Sequence, residues 1–339
     1  MRKKNLLRGM MVLAFFWVGL WGNAQETLLE DRVEKLERIT SRLPAVTGFI
    51  NFRYQYSDDL SSFDIRRARL DFKGDLSPRV DYRLQLELAS PKIVDAYIRY
   101  KLNPAFNVQF GQFKLPFTLE NPYSPLSFEV MENSRAVSRF TNIQDVTGIK
   151  ANGRDFGVSV YGRLFDQGGF SLIEYTVGIF NGTGINTGDN NKVKDVVGRL
   201  ELHPIKELTV SVSGYKGQWY AGETSPHVRR DRFGFGLRYL DDRFLVRTEY
   251  LKGFTGNLES EGYYALFGYQ VTGRLQPVVR YDYYQQDVLL SESRQTDYLA
   301  GLNYKVSDWL RFQANYTWRT FDDRGENSGL LGLMLTAMF

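Results

Sequence analysis

From Thr47 onward, stretch after stretch of the sequence alternates apolar and polar residues at a period of two. In RRARLDFKG, residues 66–74, Ala68, Leu70 and Phe72 share one parity while Arg67, Arg69, Asp71 and Lys73 share the other. VDYRLQLEL repeats the pattern, with Tyr82, Leu84, Leu86 and Leu88 set against Asp81, Arg83, Gln85 and Glu87. VDAYIRYKL, VVGRLEL, FLVRTEY, VVRYDYY and LRFQANYTW continue it. Successive side chains of a strand point to opposite sides, so each stretch reads as a strand with one apolar and one charged face. A helical membrane bundle is excluded, because 24% of the 339 residues are charged and no long apolar run follows the N-terminal region.

A soluble β-sandwich also alternates, but its polar face meets bulk water and its apolar face meets a second sheet. Three features point instead to an all-β fold, a transmembrane antiparallel β-barrel. Segments run roughly ten residues, enough to cross a bilayer at a tilt, and are separated alternately by tight turns and by longer polar stretches. Aromatic residues gather near strand ends, as in Tyr281-Asp282-Tyr283-Tyr284 and Tyr316-Thr317-Trp318, where an interfacial girdle sits. Arginine and glutamate share the polar faces at mid-strand, which suits a water-filled interior.

With both termini at one end, the strand number must be even. Short turns near 77–78, 103–104, 166–168, 204–206, 241–242, 272–273 and 307–308 define that end. Longer stretches near 181–191, 220–228, 254–261, 287–294 and 322–327 define the other. About sixteen strands result if residues 118–152 form one connection, the long third loop. DVTGIKANG, residues 145–153, is then not a strand, since counting it makes the number odd. Loops this long inside a compact architecture are usually functional, and this one carries Glu120, Glu129, Glu132, Arg135 and Arg139.

Ahead of the barrel, residues 1–24 read as a signal peptide. Arg2, Lys3, Lys4 and Arg8 precede an apolar stretch from Met10 to Trp21, and Gly22-Asn23-Ala24 offers a small-residue cleavage site. Setting those four cations aside brings the 43 Lys+Arg level with the 39 Asp+Glu, so the basic pI carries no argument for nucleic acid. Residues 25–46 are expected to be a short periplasmic helical segment and a possible coiled coil, with Leu29, Val33, Leu36 and Leu43 in four-three spacing and Pro44 as its stop. Residues 47–339 are the barrel. Cysteine is absent, so no disulfide supports the fold.

KIVDAYIRYKLNPAFNVQFGQFKLPFTLEN (92–121), flanked by RRARLDFKG and SFEVMENSRAV and followed by GRDFGVSVYG and GIFNGTG, resembles the phosphate-selective porin O and P family. That resemblance implies a trimeric sixteen-stranded outer-membrane barrel of a Gram-negative bacterium, with an inward-folded third loop and a lumen whose cations conduct anions. It also gives a meaning to the ending LLGLMLTAMF. A last strand with Leu331, Leu333, Leu335, Ala337 and Phe339 on the lipid side, closing on Phe339, matches the signal by which barrel assembly machinery recognises its clients.

By parity the lumen-facing cations are Arg67, Arg69, Lys73, Arg83, Arg99, Lys101, Arg163, Arg199, Arg238, Arg247, Arg280, Arg311 and Arg319. The carboxylates of those faces are Asp71, Asp81, Glu87, Asp95, Glu201, Glu249 and Asp282. Arg67, Arg69, Lys73, Arg83, Arg99, Arg199, Arg247 and Arg280 are the candidate anion-binding positions. Glu129, Glu132, Arg135 and Arg139 are the candidate constriction residues. Cations outnumber carboxylates, so a mild preference for anions such as phosphate is expected. Residues 118–149 contain no lysine, which sets this chain apart from a pore built for tight phosphate binding. Parity turns Arg66 outward, near the headgroups, and leaves the face of Lys114 open, because a bulge near Gly111 would switch it.

Other functions find less support. The two histidines, His203 and His227, lie in a short turn and an outer loop, and no nucleophile elbow, phosphate loop or ligand-spaced Cys/His cluster accompanies them. Catalysis and cofactors are not expected. A barrel serving as a platform for adhesion or envelope linkage is the alternative, but the remaining loops are modest. An active transporter with a plug domain needs more strands than this chain supplies.

Overall fold

The computed structural model describes residue 32 and residues 43–224, 227–322 and 327–339. The expected leader and nearly all of the 25–46 segment lie outside these. The described residues form one closed antiparallel barrel of sixteen strands, each paired with its neighbours in sequence, with β1 paired to β16. The first eight are β1 (Ala45–Ser57), β2 (Leu60–Ser77), β3 (Val80–Glu87), β4 (Lys92–Asn103), β5 (Phe106–Lys114), β6 (Arg154–Asp166), β7 (Ser171–Phe180) and β8 (Asp195–Ile205). The second eight are β9 (Leu208–Trp219), β10 (Val228–Leu240), β11 (Phe244–Thr255), β12 (Leu258–Tyr269), β13 (Leu275–Gln285), β14 (Arg294–Lys305), β15 (Leu310–Phe321) and β16 (Asn327–Met338).

The even count, the seven short turns at the end bearing the termini and the absence of a strand at 145–153 agree with the parity expected from sequence. One connection differs. Residues 254–261, expected as an outer loop, are mostly strand, and only residues 256–257 turn the chain, with Gly256 at φ 61°. That is the left-handed conformation a two-residue hairpin requires.

Alternation places the two sets of side chains on opposite faces. Outward lie Ile98, Phe110, Ile179, Leu200, Phe235, Val279 and Tyr316, all exposed. Inward, buried polar and charged side chains outnumber buried apolar ones. A continuous apolar band of this extent is intolerable in water but matches hydrocarbon, where closed barrels satisfy every backbone hydrogen bond between strands.

Register shifts break the ladders at five places, three of them at the turns after β2, β4 and β8 and two within the wall. Between β1 and β2, Asn51 faces Arg67 while Phe52 faces Ile65, so Arg66 is an extra residue. Above that bulge the parity of β2 inverts, which leaves Phe63 and Ile65 exposed on the outside and brings Asp64 to Arg53 on the inside. Arg66 itself turns into the lumen, correcting the outward position expected from uninterrupted alternation. A second shift lies in the β3–β4 ladder beside Val94.

The seam between β1 and β16 closes the cylinder. Gly48 N donates to Phe339 O at 2.7 Å and Phe339 N returns to Gly48 O at 3.0 Å. Inside the seam, Asn51 Nδ2 donates to Thr336 Oγ1 at 2.7 Å. The Phe339 ring covers Gly48, where a Cβ would fall 2.5 Å from the ring and 2.7 Å from Arg69 O. Gly48→Leu is therefore expected to destabilise closure by about 1–3 kcal/mol. Heat-modifiable migration on gels should show a lower melting point for it, whereas Gly214→Ala, where a Cβ meets no atom within 4 Å, should melt like wild type.

Candidate functional site

Residues 115–153 leave β5, turn into the barrel and return as β6. Their stem is tied where they depart: Leu115 N donates to Gly153 O, and Asn121 Nδ2 donates to both Leu115 O and Gly153 O, each at 3.0 Å. Within the loop, Ser134 Oγ accepts from Val137 N and starts the short helix α1 (Arg135–Phe140). Phe117, Val130, Ala136, Val137 and Phe140 are buried in one cluster with Leu251, Tyr264, Leu266, Val278 and Tyr284 of the wall. Apolar residues at lumen-facing positions thus have a purpose. Each large side chain removed from water contributes on the order of 1.5–3 kcal/mol to holding the loop down.

Polar wall residues fix its path. Glu249 accepts from Leu119 N at 2.6 Å, Glu120 N at 2.8 Å and Tyr264 Oη at 2.8 Å. Asp282 accepts from Arg135 N at 3.1 Å. Arg280 donates to Glu132 O, Asn303 to Glu129 O and Arg311 to Leu126 O, all between 2.7 and 2.8 Å. Arg232 pairs with Asp145 at 2.8 Å and Arg247 with Glu129 at 3.0 Å. These anchors come from β10, β11, β13, β14 and β15, so the loop fills that side of the lumen.

At its innermost reach the loop presents Glu132 to the opposite wall. The carboxylate accepts from Arg66 Nε at 2.7 Å and Nη2 at 2.9 Å, a two-pronged pairing, and from Arg53 Nη1 at 3.3 Å. Arg67 Nη2 lies 3.5 Å away. Burial pushes the Glu132 carboxyl up, but Arg67, Arg66 and Arg53 outweigh it and bring it down to about 2. The group stays ionised at every pH above about 3, and it remains 44% exposed to the lumen.

Around it lies a space of about 440 Å³ between the loop and the β1, β2, β15 and β16 wall. Nine cationic side chains line it against two carboxylates, Glu132 and Asp297. Several cations keep a carboxylate of their own: Arg69 holds Glu87 at 3.0 Å and Arg154 holds Asp95 at 2.6 Å. Lys114 turns inward at the end of β5, donating to Asn121 O at 2.7 Å and to Tyr123 O at 2.5 Å. It reaches the same space from just before the stretch that contains no lysine. A second space of about 330 Å³, nearer the terminal end, is lined by Arg99, Lys101, Arg163 and Arg199 together with Glu174 and Glu201.

The candidate positions therefore separate. Arg67, Arg69 and Arg280 line the larger space, and Arg99 and Arg199 the smaller. Lys73 and Arg83 share Asp71, Arg83 also reaches Asp95, and Arg99 with Lys101 holds Asp81, an ion-pair ladder across β2, β3 and β4. Arg247 is 1% exposed, enclosed between wall and loop. In the loop, Glu132 and Arg135 face the larger space, Arg135 pairing with Asp297 at 3.0 Å. Glu129 meets Arg247, and Arg139 donates to Gln144 O and lies over the Tyr284 ring. Arg53, Arg66, Lys114 and Arg154 were missed as candidates. Arg53 and Arg154 sit in strands whose alternation was legible, whereas Arg66 depends on the bulge in β2 and Lys114, with no register shift near Gly111, is the last residue of β5 where the chain turns inward.

A family model described as phosphate-selective porin O and P matches residues 39–234 and 223–339. No curated protein matches the chain. Among solved structures, the chain is similar to an anion-selective porin from Comamonas acidovorans, with a TM-score of 0.71 and 14% identity over 87% of this chain and 99% of that one. It is also similar to OmpF of Salmonella typhi in complex with daunomycin, with a TM-score of 0.69 and 10% identity over 88% and 99%. A third similar structure is OmpT of Vibrio cholerae in a trimer form, with a TM-score of 0.63 and 13% identity over 87% and 99%.

Three hydrogen bonds at about 0.5–1.5 kcal/mol net each are lost with the Glu249 carboxyl, so Glu249→Leu should free the start of the loop while the barrel persists. We expect larger and noisier single-channel currents from that variant, with an unchanged β-sheet signal in circular dichroism. Wild-type currents from a folded Glu249→Leu barrel would show that the apolar contacts suffice.

Proposed function

The chain belongs to the phosphate-selective porin O and P family of outer-membrane porins, and on that premise we propose that it passes small anions by passive diffusion down their concentration gradient. The observation carrying this reading is the ratio of nine cations to two carboxylates around the space that loop 115–153 leaves open. An ion entering a narrow passage sheds water, and the wall must replace that hydration with opposite charge at several successive, weakly binding positions. Arginine suits a phosphate or carboxylate because its planar fork donates paired hydrogen bonds and keeps its charge. Arg53, Arg66, Arg67, Arg69 and Lys114 form the upper stage of the proposed path, and Arg99, Lys101 and Arg199 the lower one. Glu132 moderates the upper stage by occupying part of its cationic surface, which keeps the preference mild.

A homotrimer embedded in outer-membrane lipid is part of the same proposal. OmpT, similar in fold, is described in a trimer form. Recognition of Phe339 by the barrel assembly machinery is proposed from the terminal strand, whose Leu331, Leu333, Leu335 and Ala337 pair with outward-facing residues of β1. The family is one of channels rather than enzymes.

Planar-bilayer reversal potentials under a tenfold chloride gradient test this reading. Wild type should reverse on the anion side. Glu132→Gln should move the potential further that way, roughly doubling the anion-to-cation permeability ratio, because it unmasks Arg66 and Arg67. The double variant Arg66→Gln/Arg67→Gln should lower that ratio about as much. Reversal on the cation side in wild type, or potentials that ignore both changes, would rule the proposed path out.

A further inference from the structure

We propose that Glu174, Glu201 and His203 form a site for a divalent transition-metal ion, with zinc as the representative, at the terminal-end mouth of the pore. The register of β7 against β8 places Glu174 directly opposite Glu201. Two carboxylates facing each other across a ladder repel, and such pairs destabilise a sheet unless a cation joins them. His203 follows two residues after Glu201, within a register shift of the β8–β9 ladder, and its ring reaches the same cluster. One ligand atom from each of the three residues lies within 4.8 Å of the others.

The histidine is already oriented as a ligand. Its Nδ1 lies 3.1 Å from Thr209 Oγ1. With Nδ1–H donating to that hydroxyl, Nε2 keeps its lone pair, and Nε2 is buried with no hydrogen-bond partner. An outer partner on one ring nitrogen and a vacant lone pair on the other is the arrangement that metal-ligating histidines adopt.

Neighbouring arginines pair with the carboxylates only loosely. Arg163 Nε is 3.2 Å from Glu174 and Arg199 Nη2 is 3.4 Å from Glu201, longer than strong charge-assisted bonds. Arg163 is 67% exposed and free to swing away, and Arg199 also donates to Thr118 O at 3.2 Å. Metal–ligand distances near 2.0–2.2 Å require ligand atoms about 3.4 Å apart. The partly exposed Glu174 side chain can close that gap by rotation. Two carboxylates balance the dication, the imidazole favours zinc or its neighbours over magnesium and calcium, and water takes the fourth position toward the lumen. A bound ion would cancel the two negative charges of the lower stage and make the mouth more strongly cationic.

Zinc chloride added to the detergent-solubilised barrel tests the site without any current being needed. We expect one zinc per chain after equilibrium dialysis at micromolar metal, no competition from a hundredfold excess of magnesium, and affinity reduced about tenfold or more in His203→Ala. Glu201→Gln supplies a second variant that keeps the side-chain shape and should weaken binding likewise. In bilayers, zinc on the terminal side should shift the wild-type reversal potential further toward anions and leave His203→Ala unmoved. Absence of zinc binding up to millimolar metal, or equal binding by wild type and both variants, would overturn the site while leaving anion conduction untouched.

Discussion

Every other feature of this molecule depends on ladder closure between β1 and β16. Hydrocarbon offers no hydrogen bonds, so a sheet with open edges cannot cross it, and the sixteen strands become a viable membrane structure only when the last meets the first. Closure in turn forces the inversion of burial. The apolar set faces outward, the charged set is gathered into an enclosed interior, and the lumen acquires a concentrated ionic character. Cross-strand ion pairs such as Arg83 with Asp71 and Arg99 with Asp81 keep that interior wetted and balanced.

Loop 115–153 then breaks the symmetry of the cylinder. Its apolar residues need cover, and the wall from β11 to β14 supplies it at lumen-facing positions that would otherwise be polar. Wall carboxylates do a second job. Glu249 and Asp282 accept backbone N–H groups that the loop cannot pair within itself, which answers the requirement that buried donors find acceptors. What remains open is lined by the β1–β2 arginines, with Glu132 standing among them as a counter-charge carried in on the loop.

Strand number, turn positions and the faces of most residues were legible because a period of two is a local property, readable from any ten residues. Arg66 was not, since a single inserted residue against β1 reverses its direction and nothing within RRARLDFKG marks the insertion. The docking of the loop was beyond local reading as well: Leu119 and Glu249 are 130 residues apart in sequence. A signal nevertheless existed in Leu245, Leu251, Leu266 and Leu299, apolar residues at inward positions, which report that something covers the wall there. Lys114 escaped because it precedes the loop proper and enters the open space only as the chain turns at Leu115.

The loop is drawn from residues 115–153, yet apart from Arg53 and Arg66 its wall anchors lie between Arg199 and Gln313. It is made before nearly everything that holds it. The stem bond from Leu115 to Gly153 is local, but the rest of the loop is held only where strands far along the chain stand together around it. The width of the passage is thus a property of the whole closed cylinder and of no single hairpin within it.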